Sequence, residues 1–548
     1  NDSSLEQSSS IEDVNIQDSI EKKSNQNQVI LLSNLWEKTN GDNFNFILNN
    51  ITNIKSKVLK NELLNILNVD SLPPTNLVKI DFENLIIRSL IGLGERKRAY
   101  DIIKSLSDSE NIDYDLFYKI FELNYLLSTY ALSEACELRN DFEDFQINNQ
   151  KNFFLKVDIF CLLLQEKFDE ANLLNSLLQD SKNEQNKYFE YIFNILNKIN
   201  NIEESALIES KINEQEIFLY SAMHREGNIP LDNRFLKIDP INLSMPIILS
   251  SASNIKLRIQ AAHSAYDNGL LKDTNALAAL YQMVDFSTED LNNPIEFSNK
   301  ISNDIEISMA FFYQLSNIQL LPITRLEALI SFWKFAEKNG LELIAYRISQ
   351  KNLDSIEPSN ELAEFGAKVS KAYLLSSNLE MAEKWLIYAE NMSTDLVNQS
   401  KLQSTKLLYK LSTVESSEEF IDVLIKNLET QKNNKLEENN QDEIKNEILF
   451  TIFLILDSEN INPFEFNKKI NEVKLMPSAF IMNNIRDCII NEKYSELLLS
   501  IIVSLNGKNW SDLHFEHLRL ILIGLNKYKD GEIINSIILE ILEESKII

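Results

Sequence analysis

Two histidines near the C-terminal end are the residues of this sequence best suited to metal chemistry. His514 and His517 are three positions apart, so a helix would present both on one face, beside Asp512 and Glu516. Imidazole and carboxylate groups at this spacing could bind zinc. However, no HExxH motif supplies a further ligand, and Ser511 is a good helix cap that accounts for the acidic first turn without a metal. The sequence therefore predicts a helix start here and no metal site.

The remaining reactive side chains are isolated from one another in the sequence. His224 and His263 have no catalytic partner nearby, and His263 lies on an alanine-rich face typical of a packed or surface imidazole. The three cysteines are Cys136, Cys161 and Cys488. Cys136 and Cys161 stand among apolar neighbours, where thiols usually behave as small core side chains. We therefore predict no disulfide framework and no zinc site built from cysteines.

Short motifs that carry catalysis or phosphate binding do not occur in this sequence. IGLG at 91–94 follows no strand, and NGKN at 506–509 lacks the upstream Gly and the following Ser or Thr of a phosphate-binding loop. Because the chain has 82 acidic residues, pairs of carboxylates occur throughout and indicate no particular site. Four tryptophans lie in apolar helix contexts and are predicted core residues: Trp36, Trp333, Trp385 and Trp510. We predict a non-catalytic protein without catalytic, cofactor-binding or metal-binding residues.

Composition limits the fold and the partners. The 548 residues carry 53 Lys and Arg against 82 Asp and Glu, and the net charge of −29 disfavours nucleic acid and anionic membranes as partners. The most basic segment, ERKRAY at 95–100, is predicted to be a solvated turn. Only 10 Gly and 10 Pro are present, which disfavours sheets joined by tight turns. The longest apolar run, at 448–456, is far shorter than the ~20 residues that span a bilayer.

Apolar residues recur at helical spacing on both sides of short polar turns, at 94–98, 165–170 and 376–378. In the clearest case a small residue, Ala382, stands early in the second helix, where it would let the two helices approach closely. The spacing resembles the tetratricopeptide repeat, a two-helix unit of about 34 residues, although Ser370 stands where that repeat has glycine. The sequence therefore predicts an all-α fold, an α-solenoid of stacked antiparallel helical hairpins with irregular, tetratricopeptide-like repeats.

The domain organisation is predicted from proline and from charge. Pro230, Pro240 and Pro246 fall close together, and proline prevents a helix from running through. The predicted order is a flexible N-terminal segment at 1–28, an N-terminal helical array at 29–225, a Pro-containing connector at 226–246 and a C-terminal helical array at 247–548. Within the last array, the charged stretch near 429–445 is predicted to be an exposed loop.

The stretch LAALYQMVDFSTEDLNNPIE, at 277–296, differs in amino-acid composition from the rest of the chain, which is rich in Leu, Ile, Asn, Lys and Glu. A helix is predicted to end near Val284, Ser287 to cap the next helix through its hydroxyl, and Pro294 to limit or kink that helix. This pattern indicates a corner between helices and no catalytic chemistry.

That stretch, the preceding AAHSAYDNGLL, SNLWEKT at 33–39 and NEKYSELLLSIIVSLNGKNWSDLHFEHLRLILIGL at 491–525 together carry a resemblance. The chain resembles an uncharacterised helical-repeat family of alphaproteobacteria, some members of which are mislabelled "antifreeze". The resemblance touches both ends and the middle of the chain. It implies no known activity, and no functional residue can be carried over from it.

The leading hypothesis is a periplasmic interaction scaffold or assembly factor that binds protein partners, for example in a motility or secretion machine. Its basis is the predicted array, together with a polar start at Asn1 that is consistent with removal of a signal peptide or with an arbitrary boundary. Two alternatives remain open: an envelope hydrolase acting on cell-wall material, and a cytoplasmic helical-repeat regulator. We expect no cofactor, no nucleic acid and no membrane span.

Overall fold

The computed structural model describes residues 35–51, 54–106, 112–142, 151–180, 187–198, 212–271, 273–392, 396–413, 440–456, 474, 476–531 and 533–545. Within these ranges every regular element is a helix, and β-type pairing is limited to one isolated bridge between Asn40 and Thr75. The all-α prediction is confirmed. The predicted flexible segment 1–28 lies outside the described residues, as does the predicted exposed loop from 429 to 439.

The described helices are numbered here in chain order. The first fourteen are α1 (Gly41–Asn49), α2 (Lys57–Ile66), α3 (Lys79–Gly92), α4 (Arg96–Leu106), α5 (Ile112–Thr129), α6 (Leu132–Asn140), α7 (Lys151–Leu164), α8 (Phe168–Asp180), α9 (Lys187–Leu196), α10 (Ile217–Glu226), α11 (Asn233–Ile238), α12 (Ser244–Leu249), α13 (Ile255–Asp267) and α14 (Asn275–Gln282). The others are α15 (Thr288–Asn292), α16 (Pro294–Ile301), α17 (Ile305–Ile318), α18 (Pro322–Lys338), α19 (Glu342–Ile348), α20 (Gln350–Leu353), α21 (Gly366–Leu375), α22 (Leu379–Met392), α23 (Leu396–Thr413), α24 (Asn440–Leu456), α25 (Ala479–Ile490), α26 (Tyr494–Leu505), α27 (Phe515–Lys527) and α28 (Ile534–Glu544).

The chain divides into two compact units. Unit 1 combines residues 1–95 with 414–548, and unit 2 comprises residues 96–413. The predicted connector at 226–246 therefore falls inside unit 2, where its residues contribute to α11 and α12. The physical reason is visible at Pro246, the third residue of α12: the first turn of a helix has no intrahelical partner for its N–H groups, so proline is tolerated there.

Unit 1 is built from both ends of the described chain. Helices α1 and α2 pack against α26. Ser56 Oγ donates a hydrogen bond of 2.6 Å to Glu540 Oε2, and Tyr528 OH donates one of 2.8 Å to Glu62 Oε1. In a linear repeat array each unit contacts only its neighbours along the chain, so these contacts are not those of a simple linear stack.

In unit 2, successive helices pack against each other as α7 with α8, α12 with α13, α17 with α18, and α21 with α22. The last pair is antiparallel, since Gly366 lies against Trp385 and Ala389 while Ser370 lies against Ala382. Ser370 Oγ donates a 2.8 Å hydrogen bond to the carbonyl oxygen of Ala382. A Cβ atom added to Gly366 would lie 2.8 Å from both the Trp385 carbonyl oxygen and Ala389 Cβ. The small residues therefore allow the close approach of α21 and α22.

The corner at 277–296 forms largely as the sequence predicts. Ser287 caps α15 by accepting a hydrogen bond from the Asp290 N–H, and the Asp290 side chain accepts one from the Ser287 N–H, which is a capping box. Pro294 starts α16 instead of kinking α15. Phe286, Phe297 and Phe311 then form an aromatic cluster, with ring centroids 4.9 to 5.8 Å apart. The distinctive stretch thus supplies packing groups for α17.

Two predictions near the C-terminal end are wrong. Ser511 lies within a 3-10 helix, Trp510–Asp512, while the following helix begins at Phe515 and is capped by His514. The described residues 440–445 of the predicted exposed loop form the start of α24. At Ser511 a distant residue is the partner instead of the helix start: the backbone N–H and the hydroxyl of Ser511 both donate to Glu544 Oε1, each at 3.0 Å. Among the described helices, none has the length and apolar character needed to cross a membrane.

Candidate functional site

The two histidines at the C-terminal end make separate local contacts. His514 Nδ1 accepts a hydrogen bond of 3.2 Å from the Glu516 N–H and so caps α27. His517 is buried, and its Nε2 lies 2.8 Å from Ser504 Oγ. Within the described part of the chain, no group of three or more His, Cys, Asp or Glu side chains is arranged to hold a metal ion.

The other two histidines are buried in unit 2 and are bonded to tyrosines. His263 Nε2 lies 2.7 Å from Tyr281 OH. His224 Nδ1 lies 3.2 Å from the Pro230 carbonyl oxygen, which can only accept, so Nδ1 carries the proton and Nε2 accepts from Tyr188 OH at 2.7 Å. Burial lowers the pKa of His224 and of His263 to about 4. Both imidazoles are therefore neutral at pH 7.

His224 is one end of a buried polar network that the sequence did not reveal. The Lys156 side chain, only 1% exposed, extends from α7 and donates hydrogen bonds to Glu216 Oε2 at 2.7 Å and to Tyr220 OH at 3.3 Å. The Tyr220 hydroxyl also donates to Glu216 Oε2. The ring of Tyr188 meets that of Tyr220 edge to face at 5.0 Å. We call these five residues the buried polar network.

The charged groups of the buried polar network, Lys156 and Glu216, form an ion pair inside the protein. Burial, and then the charge of Glu216, raise the pKa of Tyr220 far above its usual value, so its hydroxyl remains a donor. Lys156 also lies over the ring of Phe189, 5.5 Å from its centroid. Lys156 of α7 bonds to Glu216, just before α10, and to Tyr220 of α10, and it lies over Phe189 of α9. These buried groups therefore connect the three helices and present no accessible acid or base.

One signal in the sequence could have indicated Lys156. It lies three residues after Phe153 and four before Phe160, in the same apolar stripe of α7. A lysine inside such a stripe predicts a buried cation that needs a partner. Its partner Glu216 is 60 residues further along the chain, and local spacing cannot identify it.

Arg96 corrects the prediction of a solvated basic turn at 95–100. Its side chain is buried at the start of α4, and its guanidinium carbon lies 4.1 Å from the ring centroid of Phe218 and 5.1 Å from that of Phe121. Burial lowers the pKa of Arg96 to about 10, while the charge of Asp239 acts in the opposite direction. Arg96 is thus a charged packing residue of unit 2, because aromatic faces attract a cation.

Cys136 and Cys161 form a disulfide, so the prediction of two separate thiols is wrong. The bond joins α6 to α7 across a sequence separation of 25 residues, with a Cα–Cα distance of 5.7 Å. The pair was not predicted because the sequence has an odd number of cysteines, three, and they are far apart along the chain. The third, Cys488, is buried, and burial raises the pKa of its thiol to about 12, so it remains protonated and unreactive.

All four tryptophans are buried, which confirms their prediction as core residues. None of them is therefore an exposed binding anchor. In comparisons with known proteins, the chain matches no family model, no curated protein and no solved structure. The resemblance to an alphaproteobacterial helical-repeat family accordingly stays a prediction.

Proposed function

We propose that the protein is a non-catalytic scaffold that binds other proteins, with unit 2 as an irregular array of tetratricopeptide-like helical hairpins. The observation that carries this proposal is the packing of successive helices, seen most closely in α21 and α22, where Gly366 and Ala389 bring two antiparallel helices together. Arrays of this kind expose extended surfaces formed by many short elements, and they usually bind protein.

The buried groups support this proposal over an enzymatic alternative. Lys156, Glu216 and His224 carry side chains of types that could act as catalytic acids or bases, and each is buried and bonded inside the protein. A catalytic acid or base must come within hydrogen-bond distance of a substrate. Groups that are buried and mutually paired instead support a structural role.

We further propose that the protein resides in an oxidising compartment of the cell envelope, the periplasm. The disulfide between Cys136 and Cys161 supports this, because disulfides persist in exported proteins and are rare in the reducing cytosol. The acidic composition, with a net charge of −29, favours a partner surface that is neutral or basic.

Fractionation of the cells that produce the protein, combined with chemical crosslinking, tests both parts. We expect the full chain in the periplasmic fraction, crosslinked to one or a few specific proteins. The protein isolated from these cells should then be denatured and alkylated. We expect one modified cysteine when no reductant is added and three after reduction. Recovery in the cytosol with three free thiols would contradict the compartment, and the absence of any specific crosslinked protein would contradict the scaffold.

A further inference from the structure

Helices α21 and α23 of unit 2 depart from the acidic composition of the chain. α21 has 10 residues and α23 has 18, and together they contain five lysines and no Asp or Glu. The whole chain contains 82 acidic residues among 548. Two neighbouring helices without any acidic residue therefore form a basic region on an acidic protein.

Three of these lysines meet on one surface because the two helices pack against each other. Thr405 Oγ1 of α23 donates a hydrogen bond of 3.3 Å to the carbonyl oxygen of Ala367 on α21. Lys368 follows Ala367 directly, and Lys401 is one helical turn before Thr405. Lys371 is one turn beyond Lys368, on the same face of α21. The contact between the helices thus brings together lysines from both of them.

A fourth lysine reaches this surface from α18. Glu337 Oε2 lies 4.0 Å from Lys368 Nζ, and Lys334 is three positions before Glu337 on the same helix face. The side chain of Lys368 is only 24% exposed, so it is the inner member of the group. We call Lys334, Lys368, Lys371 and Lys401 the lysine cluster.

The lysine cluster has little negative charge of its own. Lys334, Lys371 and Lys401 form no ion pair within the part of the chain that the structure describes, and Lys368 has only its long pair with Glu337. Burial lowers the pKa of Lys368, and the charges of the other three lysines lower it further, while Glu337 acts in the opposite direction. Like charges held near one another destabilise a fold. A surface that keeps them is expected to serve binding.

The surroundings of the lysine cluster limit what can bind there. Glu364 stands just before α21, and Glu390 of α22 pairs with Lys406. A nucleic acid or an anionic membrane presents many phosphates, so it would also meet these acidic residues and the net charge of −29. Lysine, moreover, lacks the planar fork with which arginine binds phosphate through two hydrogen bonds. A short segment with a few carboxylates fits the cluster better.

An acidic segment can approach this acidic protein because surface charges act over short distances. The Debye length is about 8 Å at physiological ionic strength, so the nearest charged groups determine the local attraction. At the lysine cluster those groups are basic, although the net charge of the whole chain favours a neutral or basic partner surface elsewhere.

We propose that the lysine cluster binds a short acidic segment of a protein partner, whose Asp or Glu carboxylates accept hydrogen bonds from the lysine Nζ groups. The inference rests on the proposed binding function and names the surface and the chemistry of the partner. Such hydrogen bonds between charged groups are stronger than neutral ones, and the contact weakens as the salt concentration rises.

Fluorescence anisotropy with a labelled hexaglutamate peptide tests this chemistry in the purified full-length protein. We expect binding at low salt that a labelled hexaglutamine peptide does not show. Lys371→Gln/Lys401→Gln should weaken the binding of hexaglutamate at least about tenfold, since two charge-assisted hydrogen bonds are lost. Removal of like charges should leave the melting temperature unchanged or higher, so weaker binding cannot be ascribed to unfolding.

The matched control removes two lysines outside the cluster. Lys384 is exposed on α22, and Lys410 is exposed nine positions after Lys401. Lys384→Gln/Lys410→Gln should change the affinity for hexaglutamate by less than about twofold, because charges beyond a Debye length are screened.

A photocrosslinking residue in place of Ser404, one turn after Lys401, tests the same surface in the cells that produce the protein. We expect one discrete adduct with a different protein, crosslinked at a segment rich in Asp and Glu, and we expect Lys371→Gln/Lys401→Gln to abolish it. A crosslinker at Ile387, which is 52% exposed on α22, should give no such adduct.

Other outcomes would overturn the inference. Equal binding of hexaglutamate and hexaglutamine, or equal binding of hexaglutamate by wild type and Lys371→Gln/Lys401→Gln, would remove its basis. Tighter binding of single-stranded DNA or of phosphatidylglycerol vesicles, lost in the same variant, would replace the acidic segment by nucleic acid or lipid. If the variant keeps every chemically crosslinked partner of the wild type, the inference fails and the scaffold stands. If the wild type crosslinks to no specific protein, the scaffold itself fails.

Discussion

At the scale of single residues, unit 2 contains ionisable side chains that are buried and hydrogen-bonded to partners within the protein. Transfer of a charge into the protein interior costs several kcal/mol, which its partner offsets only when the geometry is good. Lys156 and Glu216 meet this condition, because Tyr220 bonds to both. Such a pair contributes little net stability over an apolar one, but it is sensitive to the loss of either member.

Replacement of one member should therefore destabilise the protein strongly. We expect Lys156→Met to lower the free energy of unfolding by about 3–5 kcal/mol, since Glu216 is left as a buried charge without its cation. The double variant Lys156→Met/Glu216→Gln should lose much less than the sum of the two single variants, as measured by urea denaturation. Lys384→Met, which breaks the exposed pair with Glu380, is the control and should have no measurable effect. Additive losses would show that Lys156 and Glu216 are not coupled.

The buried histidines predict a loss of stability in acid. The pKa of His263 is about 4 when folded and near 6.5 when unfolded, so the unfolded chain takes up its proton first as the pH falls. The contribution of the neutral His263 side chain to the free energy of unfolding is complete above about pH 6.5. It declines by up to about 3 kcal/mol as the pH falls toward 4. His263→Gln should reduce this dependence in unfolding curves measured from pH 7 to pH 4. Tyr281→Phe keeps the imidazole of His263 buried and should retain the pH dependence. Equal pH slopes in His263→Gln and wild type would show that His263 is not its source.

At the scale of elements, the spacing of α21 and α22 depends on residues without bulk at their contact. Alanine is normally better than glycine in a helix by about 1 kcal/mol. At Gly366 this preference is reversed by the Trp385 carbonyl oxygen and the Ala389 methyl group, which leave no space for a Cβ atom. Ala382 is likewise fully buried in this contact.

Gly366→Ala should therefore lower the free energy of unfolding by about 1–3 kcal/mol, because the two helices must move apart. Ala382→Leu enlarges a residue in the same contact and should have an effect of similar size. Gly92→Ala, in the last turn of α3, is the matched control: beyond its own chain neighbours and helix backbone, no atom lies within 4 Å of the added Cβ, so this change should be neutral or stabilising. Gly366→Ala as stable as wild type in thermal melts would mean that α21 and α22 do not approach as closely as described.

At the scale of the whole molecule, the first and last described helices belong to the same unit. Glu62 of α2 accepts hydrogen bonds from Tyr528 OH and from Lys529 Nζ, more than 460 positions further along the chain. Burial alone would raise the pKa of Glu62, but the hydrogen bonds from Lys529 and Tyr528 outweigh it, so the pKa is lowered. The ionised carboxylate therefore favours the folded state of unit 1.

Glu62→Gln should weaken both ends of the chain together. At pH 7 we expect a loss of about 1–3 kcal/mol, seen as faster hydrogen exchange in α2 and α27 at once. A lowered pKa contributes stability above the unfolded value near 4.5, which is lost as the pH falls through the folded value. The difference between wild type and variant in the free energy of unfolding should thus narrow as the pH falls below 4.5, through the lowered pKa of Glu62 in the folded protein. Faster exchange confined to α2 would show that Glu62 does not couple the two ends.

Features that depend only on neighbouring positions could be predicted from the order of the residues. Apolar residues three and four positions apart predicted the helices, the burial of all four tryptophans and the close contact at Ala382. Ser287 was identifiable as a cap because its partner, Asp290, is three residues away. Each of these follows from the geometry of one or two helical turns, which every chain shares.

The pairing of distant residues, in contrast, depends on how the whole unit folds. It paired Cys136 with Cys161, gave Lys156 its carboxylate 60 residues away and placed Glu62 against Tyr528. It also buried His263, which makes that imidazole neutral. An amphipathic stripe predicts that one face of a helix is buried, but it does not identify the element that buries it. The partner is chosen by the packing of the whole unit, where contacts between remote segments compete for the same apolar and polar groups.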